Sequence, residues 1–210
     1  MTLADEYRRQ ARWRAFERDY GRLPNLEGSC VADLGGAVGD QSAAFAARGA
    51  EVTGIDLHEE LLAAARERAI PDAQFVTADL REPLPLLEPV DGIWSSFAAA
   101  YFVDLAPVLR RWLESLRPGG WIALVEIDSL FGREPLPGGV CALLRSYTDA
   151  AAEAGVLDAW RQRCEPRTLL TRHCGEQAGY VSQSFLDCLA QADHRSEARV
   201  NCCIATRPQI

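Results

Sequence analysis

The chain reads as a doubly wound α/β domain, a mostly parallel sheet with helices on both faces. Three observations predict it. Short apolar runs at 29–34, 51–56, 73–78, 90–95 and 121–127 have the length and composition of buried parallel strands. Helical patterns at 40–48, 58–69 and 106–116 separate most of them, and that alternation is the mark of βαβ units. The first run passes through Asp33-Leu34-Gly35-Gly36-Ala37-Val38-Gly39 straight into a helix, the glycine turn with which such sheets hold a ligand.

Each element has a local cause. Residues 3–20 carry Leu3, Tyr7, Ala11 and Ala15, with Trp13, Phe16 and Tyr20, at helical spacing, and Gly21 and Pro24 stop the helix. Gly49 ends the helix that follows the glycine loop, and Pro71 ends the next one. Pro83, Pro85 and Pro89 make the stretch before the fourth strand a loop. Pro118-Gly119-Gly120 reads as a turn into a fifth strand at 121–127. Beyond it the pattern weakens: helices are expected at 141–154 and 180–192, and 198–206 is the one late strand candidate. Five of the seven cysteines lie after residue 160, so composition changes there too.

Composition narrows the function. At 210 residues the chain is expected to be a single domain: a cap helix over 1–24, a ligand-binding core over 29–128 and a divergent substrate-side region over 129–210. A net charge of -8 opposes a nucleic-acid surface, which needs a basic field. Arg8, Arg9, Arg12 and Arg14 read as a solvated helix face. No apolar run approaches the roughly 20 residues that span a bilayer, and residues 1–20 do not resemble an export signal. With that, an odd number of cysteines is expected to be reduced thiols in the cytoplasm. None has metal-ligand spacing, so no metal is expected.

A glycine loop of this kind serves dehydrogenases, flavoproteins and methyltransferases alike. Three details favour S-adenosylmethionine over a dinucleotide. Asp33 precedes the first glycine, where a pyrophosphate would be repelled but an ammonium and a sulfonium would be welcome. Asp56 ends the second strand one helix and one strand later, placed to accept the ribose hydroxyls. Asp79 and Leu80 follow the third strand, positioned for the adenine amino group and ring.

Taken together, "VADLGGAVG", "GIDL", "ADL", "DGIWSSFAAAYF" and "LRPGGWIALVEID" resemble, in order and spacing, the class I S-adenosylmethionine-dependent methyltransferases over residues 29–128. The resemblance implies a Rossmann-like sheet of the seven-stranded type with S-adenosylmethionine as cofactor. It implies that Asp33 and the loop Gly35, Gly36 and Gly39 hold the methionine end, and Asp56 with Leu57 the ribose. Asp79 and Leu80 would meet the adenine, while Ser95, Ser96 and Phe97 face methionine and acceptor. One residue departs from the family: Ala37 stands where a middle glycine is usual.

The expected reaction is in-line transfer of a methyl group to a small-molecule acceptor. It asks chiefly for alignment and exclusion of water, and such positioning supplies roughly 7–11 kcal/mol. Tyr101, Glu126 and Asp128 are the polar candidates around the acceptor, with Tyr101 or Asp128 orienting it or taking a proton. Two other readings stay open: a non-catalytic S-adenosylmethionine-binding module, or an NAD(P)-dependent oxidoreductase.

Overall fold

Apolar β-branched runs put β1 (Cys30–Leu34) and its neighbours at the centre of a sheet, where both faces are covered. The computed structural model describes residues 2–11, 16–102, 104–127 and 200–209, and three isolated positions, 138, 139 and 142. Within them the chain runs α1 (Leu3–Ala11), α2 (Glu17–Tyr20), β1, α3 (Asp40–Ala46), β2 (Glu51–Asp56) and α4 (Glu59–Arg66). It continues through β3 (Ala73–Thr77), β4 (Val90–Ser96), a short 3-10 turn (Ala99–Tyr101), α5 (Leu105–Glu114), β5 (Leu116–Ile127) and β6 (Val200–Thr206).

These described strands form one six-stranded sheet in the order β3-β2-β1-β4-β5-β6. The pairs β1–β2, β2–β3, β1–β4 and β4–β5 are parallel. Strand order reverses between β1 and β4, and at that switch point an open α/β sheet leaves a crevice beyond its carboxyl ends. The chain divides into two compact units: residues 1–99, 104–126 and 201–210 make the first, and 100–103 with 127–200 the second.

Two glycines on strands lie beneath aromatic rings of the next strand. Gly54 pairs with Phe75 and Gly92 with Trp121, and a Cβ at either glycine would fall within 2.6 and 2.1 Å of the ring. On the α3 face of the sheet, Phe16, Tyr20, Phe45 and Trp94 form an aromatic cluster with centroids 5.3–6.0 Å apart. Several of its contacts are edge-on, the geometry in which ring quadrupoles attract.

Residues 12–15 lie outside the described residues, and the expected helix over 3–20 is described in two segments on either side of them, α1 and α2. They serve different clusters: Ala4 of α1 is buried with Ala37, Val38, Leu61 and Ala64, whereas Phe16 and Tyr20 enter the aromatic cluster. The fifth strand starts at Leu116, not 121, and absorbs the Pro-Gly-Gly segment as an irregularity in its pairing with β4. Its partner explains why: Gly119 donates to the Arg207 carbonyl at 2.9 Å, and Arg207 donates back to Gly120 at 2.8 Å. That partner sits almost ninety residues downstream, so local sequence saw only a turn. Apart from position 142, the expected helices at 141–154 and 180–192 lie outside the described residues, as does Asp128.

Candidate cofactor site

Everything in the site hangs from the carboxyl ends of β1, β2 and β4. Asp33, next to last in β1, is fully buried. Its Oδ2 accepts a hydrogen bond from the Ser42 hydroxyl at 2.7 Å, while its Oδ1 is buried with no partner. Ser42 reaches it because Asp33 pairs with Gly54 on β2; a Cβ on Gly54 would stand 3.1 Å from Ser42 Oγ. Burial foremost, then the negative charges of Asp56 and Asp40, push the Asp33 carboxyl up to about 7 against the lowering effect of Ser42. Tyr20 is raised as well, by burial first and by the Asp33 charge second.

The glycine loop follows. The N–H groups of Gly35 and Gly36 both donate to the Ile55 carbonyl, at 2.8 and 3.1 Å, so the loop is pinned to β2. Gly35 has φ +78°, and a Cβ there would meet the Ala98 methyl at 2.8 Å. Gly39 donates to Gly36 at 2.7 Å and enters α3 with φ +78°. Arg68 grips the same segment from α4's end, donating to the Val38 carbonyl at 2.6 Å and to Asp40 at 2.7 Å. Ala4 of α1 covers Ala37 and Val38 from the other side.

Asp56 closes β2. Its Oδ2 accepts from the Ala37 N–H at 3.1 Å, and its Oδ1 accepts from the His58 N–H at 2.9 Å with the His58 Nδ1 at 3.1 Å. Leu57 beside it is half exposed, one of the few large apolar side chains so placed. Asp79 is engaged by Arg81, whose Nε lies 2.9 and 3.0 Å from its two oxygens. Leu80 is buried, and its carbonyl accepts from the Trp112 indole at 2.8 Å.

On β4, Ser95 and Ser96 are both buried, and the Ser95 hydroxyl has no partner. Phe97 carries φ +57° while its N–H bonds the Val125 carbonyl at 2.9 Å, and its ring packs 5.7 Å from that of Phe16. Left-handed backbone at a large residue is strain of the kind that gathers at functional sites. Glu126 accepts from the Ala99 N–H at 2.8 Å and thereby ties down the segment after β4. Tyr101 is half-buried on the 3-10 turn and belongs to the second unit.

The first unit therefore brings Asp33, the glycine loop and Asp56 together, with Ser95 and Ser96 on the strand next to β1. Sequence reasoning missed Ser42, Arg68, His58 and Ala98 as supports. For Ser42 a signal existed, a hydroxyl one helical turn after Gly39, and for His58 its place two residues after Asp56; Arg68 and Ala98 touch the site only through tertiary packing. A surface hollow lined by Arg66, Ile70, Gln74 and Phe75 sits on the outer strand β3 and shares no residue with the site. Among the described residues, no three His, Cys, Asp or Glu gather as a metal site, and no helix is long and apolar enough to cross a membrane.

The chemistry of these groups fits a cationic adenosine ligand. Two buried polar oxygens, on Asp33 and Ser95, lack partners; backbone free of side chains permits close approach; and the carboxylates supply negative charge. A family model described as "Methyltransferase domain" matches residues 31–120. Residues 31–120 of the chain thus match the methyltransferase-domain family.

Among curated relatives, trans-aconitate 2-methyltransferase of Azoarcus sp. is 35% identical over 126 residues, 59% of this chain and 47% of that one. The enzyme of the same name from Escherichia coli is 31% identical over 162 residues, 67% of this chain and 62% of its own length. The chain thus spans about half to three fifths of the curated relatives it matches. A solved S-adenosylmethionine-dependent methyltransferase from Aquifex aeolicus shares the fold, with a TM-score of 0.54 at 16% identity over 64% of this chain and 79% of that one.

Proposed function

We propose that this protein transfers the methyl group of S-adenosylmethionine to a small-molecule acceptor by in-line displacement. One observation carries the reading: a glycine loop at the sheet's switch point, with a buried carboxyl on β1 and a second carboxylate on β2. When bound, S-adenosylmethionine supplies a methyl group already activated on a sulfonium sulfur. The protein's own tasks are then to bind, orient and exclude water.

Asp33 and the Gly35–Gly39 backbone would hold the methionine end, with the Ser95 and Ser96 hydroxyls beside them. Asp56 would take the ribose, using the acceptor sites that Ala37 and His58 leave open, while Leu57 covers the sugar. Asp79 and Leu80 would border the adenine. Phe97, Tyr101 and Glu126 are assigned to the acceptor, and Tyr101 or Asp128 to orienting it or accepting its proton. The relatives named trans-aconitate 2-methyltransferases support a small acceptor, and the net charge of -8 speaks against nucleic acid. The free thiols of Cys30, Cys202 and Cys203 suit a reducing, cytoplasmic setting.

Calorimetry with S-adenosylmethionine and S-adenosylhomocysteine tests the binding half, and absence of binding for both at millimolar concentration would reject it. Turnover of methyl-labelled cofactor with a panel of small organic acids tests the catalytic half. Tight binding without turnover across that panel would favour a non-catalytic module instead. Binding of NAD(P) in place of both would point to an oxidoreductase, a reading opposed by the buried Asp33 carboxyl before the loop, which suits an ammonium and not a pyrophosphate.

A further inference from the structure

We propose that ligand binding is proton-linked through Asp33: its carboxyl keeps a proton in the ligand-free chain and surrenders it when an ammonium docks against its unpartnered oxygen. This rests on the S-adenosylmethionine reading above and adds how pH controls that site. The exchange balances simply. A neutral carboxyl and a cationic ligand become a carboxylate–ammonium pair, and one proton leaves to solvent.

The geometry requires a compensating cation before Asp33 can ionise cheaply. Asp33 has no exposed surface, and its single described side-chain donor is the neutral Ser42 hydroxyl at 2.7 Å. An ionised carboxylate buried with one oxygen unpartnered would bear a large desolvation cost. The groups that face it from surrounding elements do not relieve this. Asp40 on α3 and Asp56 on β2 are negative, and Tyr20 beyond α2 is a buried phenol itself raised by Asp33. Arg48, the nearest cation to that phenol by its effect, lies over the Tyr20 ring at 4.8 Å and is paired with Glu17 at 2.7 Å. Neutrality of Asp33 is consequently the cheaper state below about pH 7 in the free chain, in line with its carboxyl being pushed up to about 7. An incoming ammonium reverses the balance, because an opposite charge at contact favours the ionised form.

The test is calorimetry of S-adenosylhomocysteine at about pH 6 and about pH 8, each in two buffers of contrasting ionisation enthalpy. At the lower pH the apparent enthalpy should differ between buffers by close to one proton released; at the higher pH the difference should vanish. Affinity should tighten with pH by up to tenfold per unit below about pH 7. Adenosine, which keeps the ribose and base but lacks the ammonium, should bind without releasing a proton. Asp33→Asn should bind S-adenosylhomocysteine with no buffer dependence. Equal heats in both buffers at the lower pH overturn the linkage while leaving cofactor binding intact. A proton released equally with adenosine places it at the ribose end and overturns the assignment to Asp33. Failure of S-adenosylhomocysteine to bind at any pH removes the underlying reading instead. Because the wild-type and adenosine arms stand alone, the outcome does not depend on the variant folding.

Discussion

The Oδ2 of Asp56 accepts a hydrogen bond from the backbone N–H of Ala37 at 3.1 Å. One carboxylate at the end of β2 therefore steadies the loop at the end of β1. Its second oxygen is engaged too, by the His58 N–H at 2.9 Å and the His58 ring. A carboxylate has about four acceptor positions, so a ribose bound here as proposed would share Asp56 with the protein itself. The proposed sugar recognition would then be coupled to loop geometry through that side chain.

Substituting Asp56 is consequently expected to act twice. Asp56→Ala should weaken S-adenosylhomocysteine binding by about 1.5–3 kcal/mol, the loss of a hydrogen bond to a charged group. It should also lower unfolding free energy by about 1–3 kcal/mol, because the Ala37 N–H loses its partner in a buried place. Calorimetry reads the first effect and urea denaturation the second. Unchanged affinity would show that the ribose is held elsewhere.

How much of this was legible in the sequence follows a physical line. Strands β1, β2 and β4 announce themselves because strands covered on both faces must be apolar, and the glycines and Asp33 and Asp56 sit at their ends at fixed offsets. What failed depends on partners distant in sequence. The extension of β5 through Pro118-Gly119-Gly120 is stabilised by Arg207. Ser42 meets Asp33 only because Gly54, on another strand, leaves the room. Phe97 offers a milder case: an aromatic after β4 is visible in sequence, but its left-handed backbone is not.

Close approach at Gly35 gives a second prediction. A methyl there would lie 2.8 Å from Ala98 Cβ and would sit on a backbone of φ +78°. The positive φ costs a non-glycine residue about 1–2 kcal/mol, and the overpacking about 1–3 kcal/mol more. Gly35→Ala should therefore lose roughly 2–5 kcal/mol of stability. Adding Ala98→Gly should recover the steric share alone, leaving the backbone share in place. A double-mutant cycle in urea would then show favourable coupling of about 1–3 kcal/mol. Strict additivity would mean that the loop relaxes away from Ala98.

Ala37 departs from the family's glycine and sits at φ 42°. Replacing it with glycine relieves strain of about 1–2 kcal/mol. Against this, the methyl is buried among Ala4, Val38, Leu61 and Ala64, a contribution of about 0.8 kcal/mol. Glycine also brings about 0.5–1 kcal/mol of backbone entropy to the unfolded chain. The effects nearly cancel, so Ala37→Gly should change stability by less than about 1 kcal/mol. Ala37→Val, β-branched at the same φ, should cost at least about 2 kcal/mol. Urea denaturation of both variants checks the pair, and a Val variant as stable as wild type would mean the loop adopts another backbone.

Asp33 sets the pH dependence of stability in the free chain, and its sign is the reverse of the usual carboxylate case. The folded-state carboxyl is raised to about 7 from an ordinary value of 3.8, chiefly by burial. Between those values the folded chain holds a proton that the unfolded chain has lost, so stability falls as pH rises through this window and levels off above it. The full span corresponds to something on the order of 4 kcal/mol. Asp33→Asn cannot ionise, so its stability relative to wild type should climb by a few kcal/mol between about pH 4 and pH 8. Any constant penalty for burying the amide shifts both ends of that curve equally and leaves the slope intact. Denaturation of both proteins across the range gives the slope directly. Parallel curves would mean that Asp33 is ionised throughout and that its burial is compensated within the fold.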